Sequence, residues 1–587
     1  MSLSKSRLQF LLIEHCLPVF IFLFLTLVLW HWYPWIAYSC IGTDAAFANG
    51  AQINFHFLND QFSGNDRRLE RLPSVLPGLL LFSLLPPVLA HQTAFLLTST
   101  LISFLFFRVA RKFGGYHTAL FAALLLLFNP WIIGTTNSFY VNRELLVYSG
   151  LVLLFSVNSV EKNDDKIYLL LTGITTALAI FTHPISLVFL GYSPIFYLVS
   201  KCRTRKEFPQ KLLRYLIFVG LGGLLCFSTL GLINKVLLGN GLNFLATQGG
   251  MASSIYSAYF REFYQVFSTS IPISFVVLGV MGAIIPLIFS KYYAPRTRTF
   301  SISFIAYTTL YSVGYYINTF LPETPILIVA LWLGYYYPLL IPICLFAMTL
   351  PLFRRNSGSN LIWWTLIVLL LVLTSPKIFG LRYELFNTLE YILRSPFIMT
   401  YTGFIIALGA IGYVIGASLM YRGGRLVHGV SLVIVSMVIF NQSSERKGNC
   451  QENASFYQRM YDGNYILQDT DLKDPKNIIF WIADNGNPKI HREYYHIAWL
   501  WLHYRVINNF GDIQQSATSP LFSKLFEPGQ EFVLMDYRKG LKERAEKLFC
   551  QKGVGFEQLN SSEIGTGVHK FTMFVGRTTI KNQCSSS

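Results

Sequence analysis

The chain has 587 residues, of which 53% are hydrophobic, 16% aromatic and only 13% charged. A soluble globular protein carries roughly a quarter charged residues, so this composition excludes an ordinary soluble enzyme, and its apolar content excludes disorder. The formal net charge of +17 would point to nucleic acid in a soluble protein, but in a membrane protein Lys and Arg first mark cytoplasmic loops.

The N-terminus carries Lys5 and Arg7 before an apolar run without a small-residue cleavage site. It reads as a retained anchor, not a cleaved signal peptide. A spanning helix needs about 20 apolar residues, and the first such run is 9–37. A polar stretch, 38–72, follows. The apolar region 73–113 contains Pro73, Pro77, Pro86 and Pro87. It therefore divides into a juxtamembrane segment and a helix starting at about residue 90. Further spans are expected at 115–134, 143–158, 167–182, 184–200, 213–236, 271–291, 299–320, 337–353, 360–375, 396–419 and 426–442, about thirteen in all. His183-Pro184 interrupts a continuous apolar run between two of them.

Charge tests the assignment. With the N-terminus inside, the predicted cytoplasmic loops hold Arg108, Arg111 and Lys112, then Lys162 and Lys166, then the cluster from Lys201 to Arg214. Lys291, Arg296, Arg298, Arg354, Arg355, Arg422 and Arg425 continue the series. Every strongly basic short loop except Arg67–Arg71 then falls on one side, as the positive-inside rule requires. Segment 323–336 is read as a horizontal or re-entrant piece, because a further span there would break the parity.

Near residue 443 the long apolar runs end, which divides the chain into a membrane domain, 1–442, and a polar domain, 443–587. By parity the polar part lies outside the cytoplasm. Strand-like runs at Ile478–Ala483, Phe532–Met535 and Phe571–Val575 alternate with helical patterns around Glu493–Val506 and Gly540–Gln551. That alternation predicts a small α/β domain. None of the eight cysteines forms a CxxC pair, which leaves zinc and thioredoxin-like chemistry without support. Cys450 and Cys550 would sit in an oxidising compartment, where a disulfide can form. His491, His496 and His503 do not show the i, i+4 spacing of a helical metal site. Asn441-Gln442-Ser443, Asn453-Ala454-Ser455 and Asn560-Ser561-Ser562 fit the N-glycosylation pattern.

The outer loops depart from a plain helix bundle. Asp44 follows the first span, among small residues, and the same loop runs from 38 to the juxtamembrane segment ending near 90. Glu144 opens the span 143–158. Taken singly, each acid has an ordinary reading: a solvated loop carboxylate, and an acid at a helix N-terminus worth up to about 1 kcal/mol. The predicted exterior bases are Arg67, Arg68, Arg71, Arg143, Arg261, Lys377, Arg382 and Arg394. Loop 375–396 and Tyr335-Tyr336-Tyr337 also suit an interfacial aromatic belt.

The order of these pieces resembles something specific. An early Asp44 with Ala45-Ala46, the segment Arg71-Leu72-Pro73, and a long helix ending in Arg111-Lys112-Phe113-Gly114-Gly115 come first. Asn129-Pro130, then Glu144 opening a helix, then Thr182-His183-Pro184 follow. This is similar to the GT-C superfamily of polytopic glycosyltransferases, and most similar to the branch of protein O-mannosyltransferases and lipid A aminoarabinose transferases. The motif-level likeness covers the first 200 residues, and the later part agrees in layout. The resemblance implies a mainly α, polytopic transmembrane bundle of GT-C type, N-terminus in and C-terminus out, with a small exterior α/β domain.

The resemblance also implies roles. Asp44 matches the essential acid of the first outer loop, Arg71 the base that approaches the lipid phosphate, and Glu144 the second acid. His183 stands where a Lys or Arg often precedes Pro. Ala45 replaces a second acid often found beside the first, and the segment after Arg71 lacks Gly-Tyr-Pro. Those departures bear on the sugar and on a divalent cation, the one cofactor such a site would take; no metal ligand is assigned. The implied donor is a polyprenyl-phosphate sugar, with a lipid, glycan or protein as acceptor, membrane lipids as neighbours and no nucleic acid. Displacement of phosphate from the anomeric carbon needs a base for the acceptor hydroxyl and cations for the phosphate. Asp44 is the expected base, with inversion. Arg68, Arg71, Arg143, Arg382 and Arg394 are the expected phosphate ligands, and His183, Arg261 and Lys377 are further candidates. The competing readings are an O-antigen-type polymerase or ligase with a diphosphate-linked donor, and a non-enzymatic lipid-linked glycan transporter or flippase. A flippase would call for polar or broken helices near the bilayer midplane.

Overall fold

A computed structural model describes residues 12–32, most of 71–239, 271–320, 337–353 and most of 463–580. The spans expected at 360–375, 396–419 and 426–442 and the segment 323–336 lie outside the described residues.

The helical region follows the apolar runs and their breakers. Helix α1, Leu17–Trp32, continues a short π-helical turn, Leu12–Cys16. Helix α2, Leu72–Leu84, starts on Pro73 in its first turn, a position where the missing N–H costs nothing. Helix α3, Pro87–Arg111, has 25 residues. At 1.5 Å per residue it is about 37 Å long and exceeds the hydrocarbon thickness. The expected division of 73–113 is thus present, with the break beside Pro86-Pro87.

Next come α4, Tyr116–Leu127, and the short α5, Pro130–Thr136, which divide the expected span 115–134 at Asn129-Pro130. Helix α6 is Asn142–Glu161 and α7 is Lys166–Thr182. After α7 the chain turns extended at His183, with φ −158° and ψ 121°. Proline at 184 disfavours helix at the residue before it. The expected span 184–200 is a described helix only over α8, Tyr192–Lys201. Its 10 residues cover about 15 Å, too little to cross a bilayer. Between the two helices the Ser186 hydroxyl donates to the Ala179 carbonyl at 3.0 Å.

Helix α9, Phe208–Leu238, has 31 residues and stops at Gly239, whose φ of +77° is a conformation glycine adopts without strain. Helices α10, Ile271–Ile288, α11, Pro295–Phe320, and α12, Tyr337–Thr349, complete the described bundle. Helices α7 and α9 approach closely through Gly173 and Gly222. A Cβ on Gly173 would run into the Val219 carbonyl oxygen, and one on Gly222 into that of Leu170. Small residues allow such backbone contact where lipid supplies no hydrophobic drive between helices.

Charges gather at one end of this bundle. Arg111 pairs with Glu14 at 2.7 Å and Lys112 with Glu161 at 2.7 Å. Arg296 pairs with Glu161 and also donates to the Lys112 carbonyl at 2.6 Å. Arg214 pairs with Asp165, which accepts from the Tyr197 hydroxyl at 2.8 Å. This network ties the starts of α1, α7, α9 and α11 to the ends of α3, α6 and α8. It contains bases that charge parity groups on one side.

The C-terminal region contains a five-stranded sheet in the order β2-β1-β3-β5-β4. The strands are β1, Ile479–Ile482, β2, Val506–Ile507, β3, Glu531–Asp536, β4, Gly555–Ile564, and β5, Phe571–Thr579. Strand β1 pairs in parallel with β2 and β3, whereas β5 pairs antiparallel with β3 and β4. Alternate side chains divide between two apolar clusters. Ile479, Trp481, Phe532 and Leu534 meet Leu548 and Phe549 of the helix α14, Leu541–Gln551. Phe480, Val533, Met535 and Val575 join the large cluster that also holds the core of the helical bundle. A short helix α13, Pro520–Lys524, precedes β3.

Two strand expectations change. Val506, the end of an expected helical pattern, lies in β2, while 493–505 lies outside the described residues. Strand β4 escapes a hydrophobicity reading because its sequence, GFEQLNSSEI, is polar and sits at the sheet edge. Its Asn560 uses the amide nitrogen, the atom a glycan would need, to donate to Thr470 Oγ1 at 3.1 Å. Cys550 is disulfide-bonded to a partner outside the described residues, whereas Cys16, Cys202, Cys226 and Cys344 are free.

Candidate functional site

The end of the bundle away from the ion-pair network brings together the start of α2, the start of α6 and the end of α7. Arg71 stands at the N-cap of α2. Its carbonyl accepts from the Ser74 and Val75 amides at 2.9 and 3.1 Å, and from the Ser74 hydroxyl at 3.0 Å. These bonds anchor the backbone and fix where the side chain departs. The side chain is buried, and its Nε has no hydrogen-bond partner among the described residues. A buried charge left uncompensated is costly, so this position favours an anion.

Glu144 lies in the first turn of α6. Its Oε1 accepts from Arg143 Nη2 at 2.7 Å and from Arg143 Nε at 2.8 Å. Both side chains are buried. The second oxygen, Oε2, has no partner among the described residues. One oxygen is held rigidly while the other stays available to accept a proton or a hydrogen bond. Arg143 therefore serves its neighbouring carboxylate in this arrangement, and Arg71 contributes a buried donor without a partner among the described residues at this end.

His183 closes α7 in extended conformation, beyond the helix. Burial, with the positive charge of Arg71 nearby, lowers its pKa to about 3. The imidazole is neutral near pH 7 and departs from the permanent cation that a Lys or Arg would place before Pro184.

Tyr148 completes the junction, and the sequence reading did not single it out. It lies one turn beyond Glu144, on the same face of α6. Its hydroxyl donates to the Pro73 carbonyl at 2.8 Å. This bond ties the Glu144 helix to the start of the Arg71 helix. The i, i+4 spacing from Glu144 is the one signal the sequence carries for it.

The remaining candidates, Asp44, Arg68, Arg261, Lys377, Arg382 and Arg394, lie outside the described residues. So do Arg67, His491, His496 and His503. Among the described residues no three His, Cys, Asp or Glu side chains gather as a metal site requires.

The family described as dolichyl-phosphate-mannose-protein mannosyltransferase matches residues 88–232. That segment holds Arg143, Glu144, Tyr148 and His183. Two solved structures resemble the chain over most of its length. One is a crystal structure of ArnT from Cupriavidus metallidurans bound to undecaprenyl phosphate, with a TM-score of 0.43 and 13% identity. That alignment covers 95% of this chain and 97% of the other. The apo state of the same protein aligns with a TM-score of 0.38 and 12% identity, over 90% of this chain and 92% of the other. No curated protein matches the chain.

Proposed function

We propose that this protein is an integral membrane glycosyltransferase. It carries a sugar from a polyprenyl-phosphate donor to a lipid, glycan or protein acceptor at the exterior face of the membrane. The observation that carries the reading is the gathering of buried Arg71, the Arg143–Glu144 pair and His183 at one end of a GT-C helical region. The ion-pair network rich in the expected cytoplasmic bases occupies the other end. A disulfide at Cys550 suits an oxidising compartment for the C-terminal region, and Cys202, at the network end, is free.

In this reading Asp44 takes the proton of the acceptor hydroxyl as its oxygen attacks the anomeric carbon. The bond from that carbon to the phosphate oxygen breaks, and its electron pair leaves with polyprenyl phosphate. Arg71 holds the phosphate and stabilises the charge that develops on it, aided by Arg68, Arg382 and Arg394. Glu144 supplies the second carboxylate, oriented by Arg143. A single displacement with one base inverts the anomeric configuration. Protein in lipid nanodiscs, given polyprenyl-phosphate mannose or a polyprenyl-phosphate pentose and a membrane extract, should release polyprenyl phosphate and glycosylate an acceptor. Asp44→Asn, with an unchanged melting curve, should lose about a hundredfold or more in transfer rate. Wild-type transfer rates in that variant would remove Asp44 from the base role.

A further inference from the structure

Helix α9 is the most lipid-like of the described spans. It is long and apolar enough to cross a membrane, and Leu216, Leu224, Leu225, Leu232 and Val236 are exposed along it. Beyond Tyr215 it buries one narrow row, Gly222, Cys226, Leu230, Asn234 and Leu238, each four residues from the next. Such a row faces a single neighbouring surface. Leu230 and Leu238, one turn either side of Asn234, share an apolar cluster with Leu72, next to Arg71, and Phe181, two residues before His183. Cys226, in the same row, lies within electrostatic reach of Tyr148. The row therefore faces the junction of α2, α6 and α7.

Asn234 breaks this row chemically. It is fully buried, and neither Oδ1 nor Nδ2 has a hydrogen-bond partner among the described residues. A buried amide without partners is costly, and an apolar side chain would suit the row better. The usual explanation for a polar residue in a membrane helix, a hydrogen bond to a neighbouring helix, has no counterpart here among the described residues. Arg71 Nε and Glu144 Oε2 are in the same condition at the same end. These groups present a cationic donor, an anionic acceptor, and a neutral group that both donates and accepts.

The third property selects the ligand. The phosphodiester of a lipid-linked sugar offers acceptors only, and would satisfy Nδ2 while leaving Oδ1 without a donor. A sugar hydroxyl donates and accepts, and two adjacent hydroxyls match both amide atoms at once. We propose that Asn234 recognises the sugar of the lipid-linked donor, holding one hydroxyl or an adjacent pair, while Arg71 takes the phosphate. The proposal rests on the glycosyltransferase reading and adds to it a determinant of donor specificity. Its location in α9 suits a donor arriving sideways from the bilayer. The amide is buried in this structure, so the sugar reaches it after the side chains packed around the row part.

The test compares lipids with and without a sugar. Protein in nanodiscs is titrated with undecaprenyl phosphate, undecaprenyl-phosphate mannose and an undecaprenyl-phosphate pentose, and binding is read from the shift in melting temperature. Wild type should bind one sugar-bearing lipid more tightly than the bare lipid. Asn234→Leu should fold with equal or higher stability, bind undecaprenyl phosphate as wild type does, and lose the sugar-dependent gain, about tenfold for two hydrogen bonds. Asn234→Gln should recover part of that gain. A sugar preference that persists in Asn234→Leu overturns the proposal and leaves the glycosyltransferase reading intact. Equal loss of bare-lipid binding also overturns it, by assigning Asn234 to the phosphate. Wild type that binds none of the three lipids overturns the glycosyltransferase reading itself, and this proposal with it.

Discussion

The hydroxyl of Tyr148 donates to the carbonyl of Pro73 across 2.8 Å, joining residues 75 positions apart. One end of that bond lies a turn from Glu144, and the other lies two residues from Arg71. The bond sets the spacing between the carboxylate and the phosphate-binding candidate. Tyr148→Phe keeps the ring and removes the hydroxyl. It should cost about 1 kcal/mol in stability. Its distinctive effect should be a several-fold rise in donor KM with kcat changed less than twofold, because α2 is held less firmly when the donor arrives. Steady-state kinetics with varied donor check this, and an unchanged donor KM would leave Tyr148 a purely structural tie.

Arg143 and Glu144 form a buried pair, and each is the other's compensation. Arg143→Met strands the carboxylate and should destabilise the protein by about 3–5 kcal/mol, as breaking a buried pair does. The double variant Arg143→Met, Glu144→Leu should recover most of that stability, because no isolated charge remains. It should not recover transfer, because the available Oε2 is gone. Melting temperatures and transfer rates of the two single variants and the double variant form a cycle that separates the two roles.

The contact of α7 with α9 depends on the absence of side chains at Gly173 and Gly222. Gly173→Ala places a methyl against the Val219 carbonyl, a backbone group that cannot rotate away. The helices must separate, at about 1–3 kcal/mol. The same substitution at Gly220, where a Cβ meets nothing within 4 Å, should be nearly neutral. Thermal denaturation of the two alanine variants distinguishes a specific helix crossing from a general intolerance of added side chains in α7 and α9.

His183 adds a pH dependence with a defined sign. Its folded pKa, about 3, lies below the ordinary value of 6.5. As pH falls below 6.5 the unfolded chain takes up a proton that the folded protein refuses. The stabilising contribution is present above pH 6.5 and is lost as pH falls toward 3. His183→Gln removes that loss. The wild-type melting temperature should fall more steeply between pH 7 and 4 than that of the variant. Parallel curves would mean that His183 is solvated.

Much of the bundle is legible because its cues are local. The apolar run and proline pair of α2 and α3, the extended His183 before Pro184, and the bases that join the network each depend on a few neighbouring residues. Arg71 and Glu144 stand out in the sequence by their order along the chain and their likeness to a family. Other features depend on partners far away in the chain. Arg143 adjoins Glu144 in sequence, but the burial that leaves its second oxygen unpartnered comes from the helices packed around α6. Nothing near Tyr148 points to Pro73. The close approach of Gly173 and Gly222 is a property of two helices together. Strand β4 is polar and forms at the sheet edge because β5 offers it a ladder of backbone groups. Asn234 reads as one polar residue in a long apolar helix until the fold shows which row it occupies and that this row meets the Arg71 junction. Sequence determines where the chain must be apolar and where it must break, since burial and helix geometry act on each residue in turn. Which polar groups face one another, and which stay unpartnered, is decided only when distant helices meet.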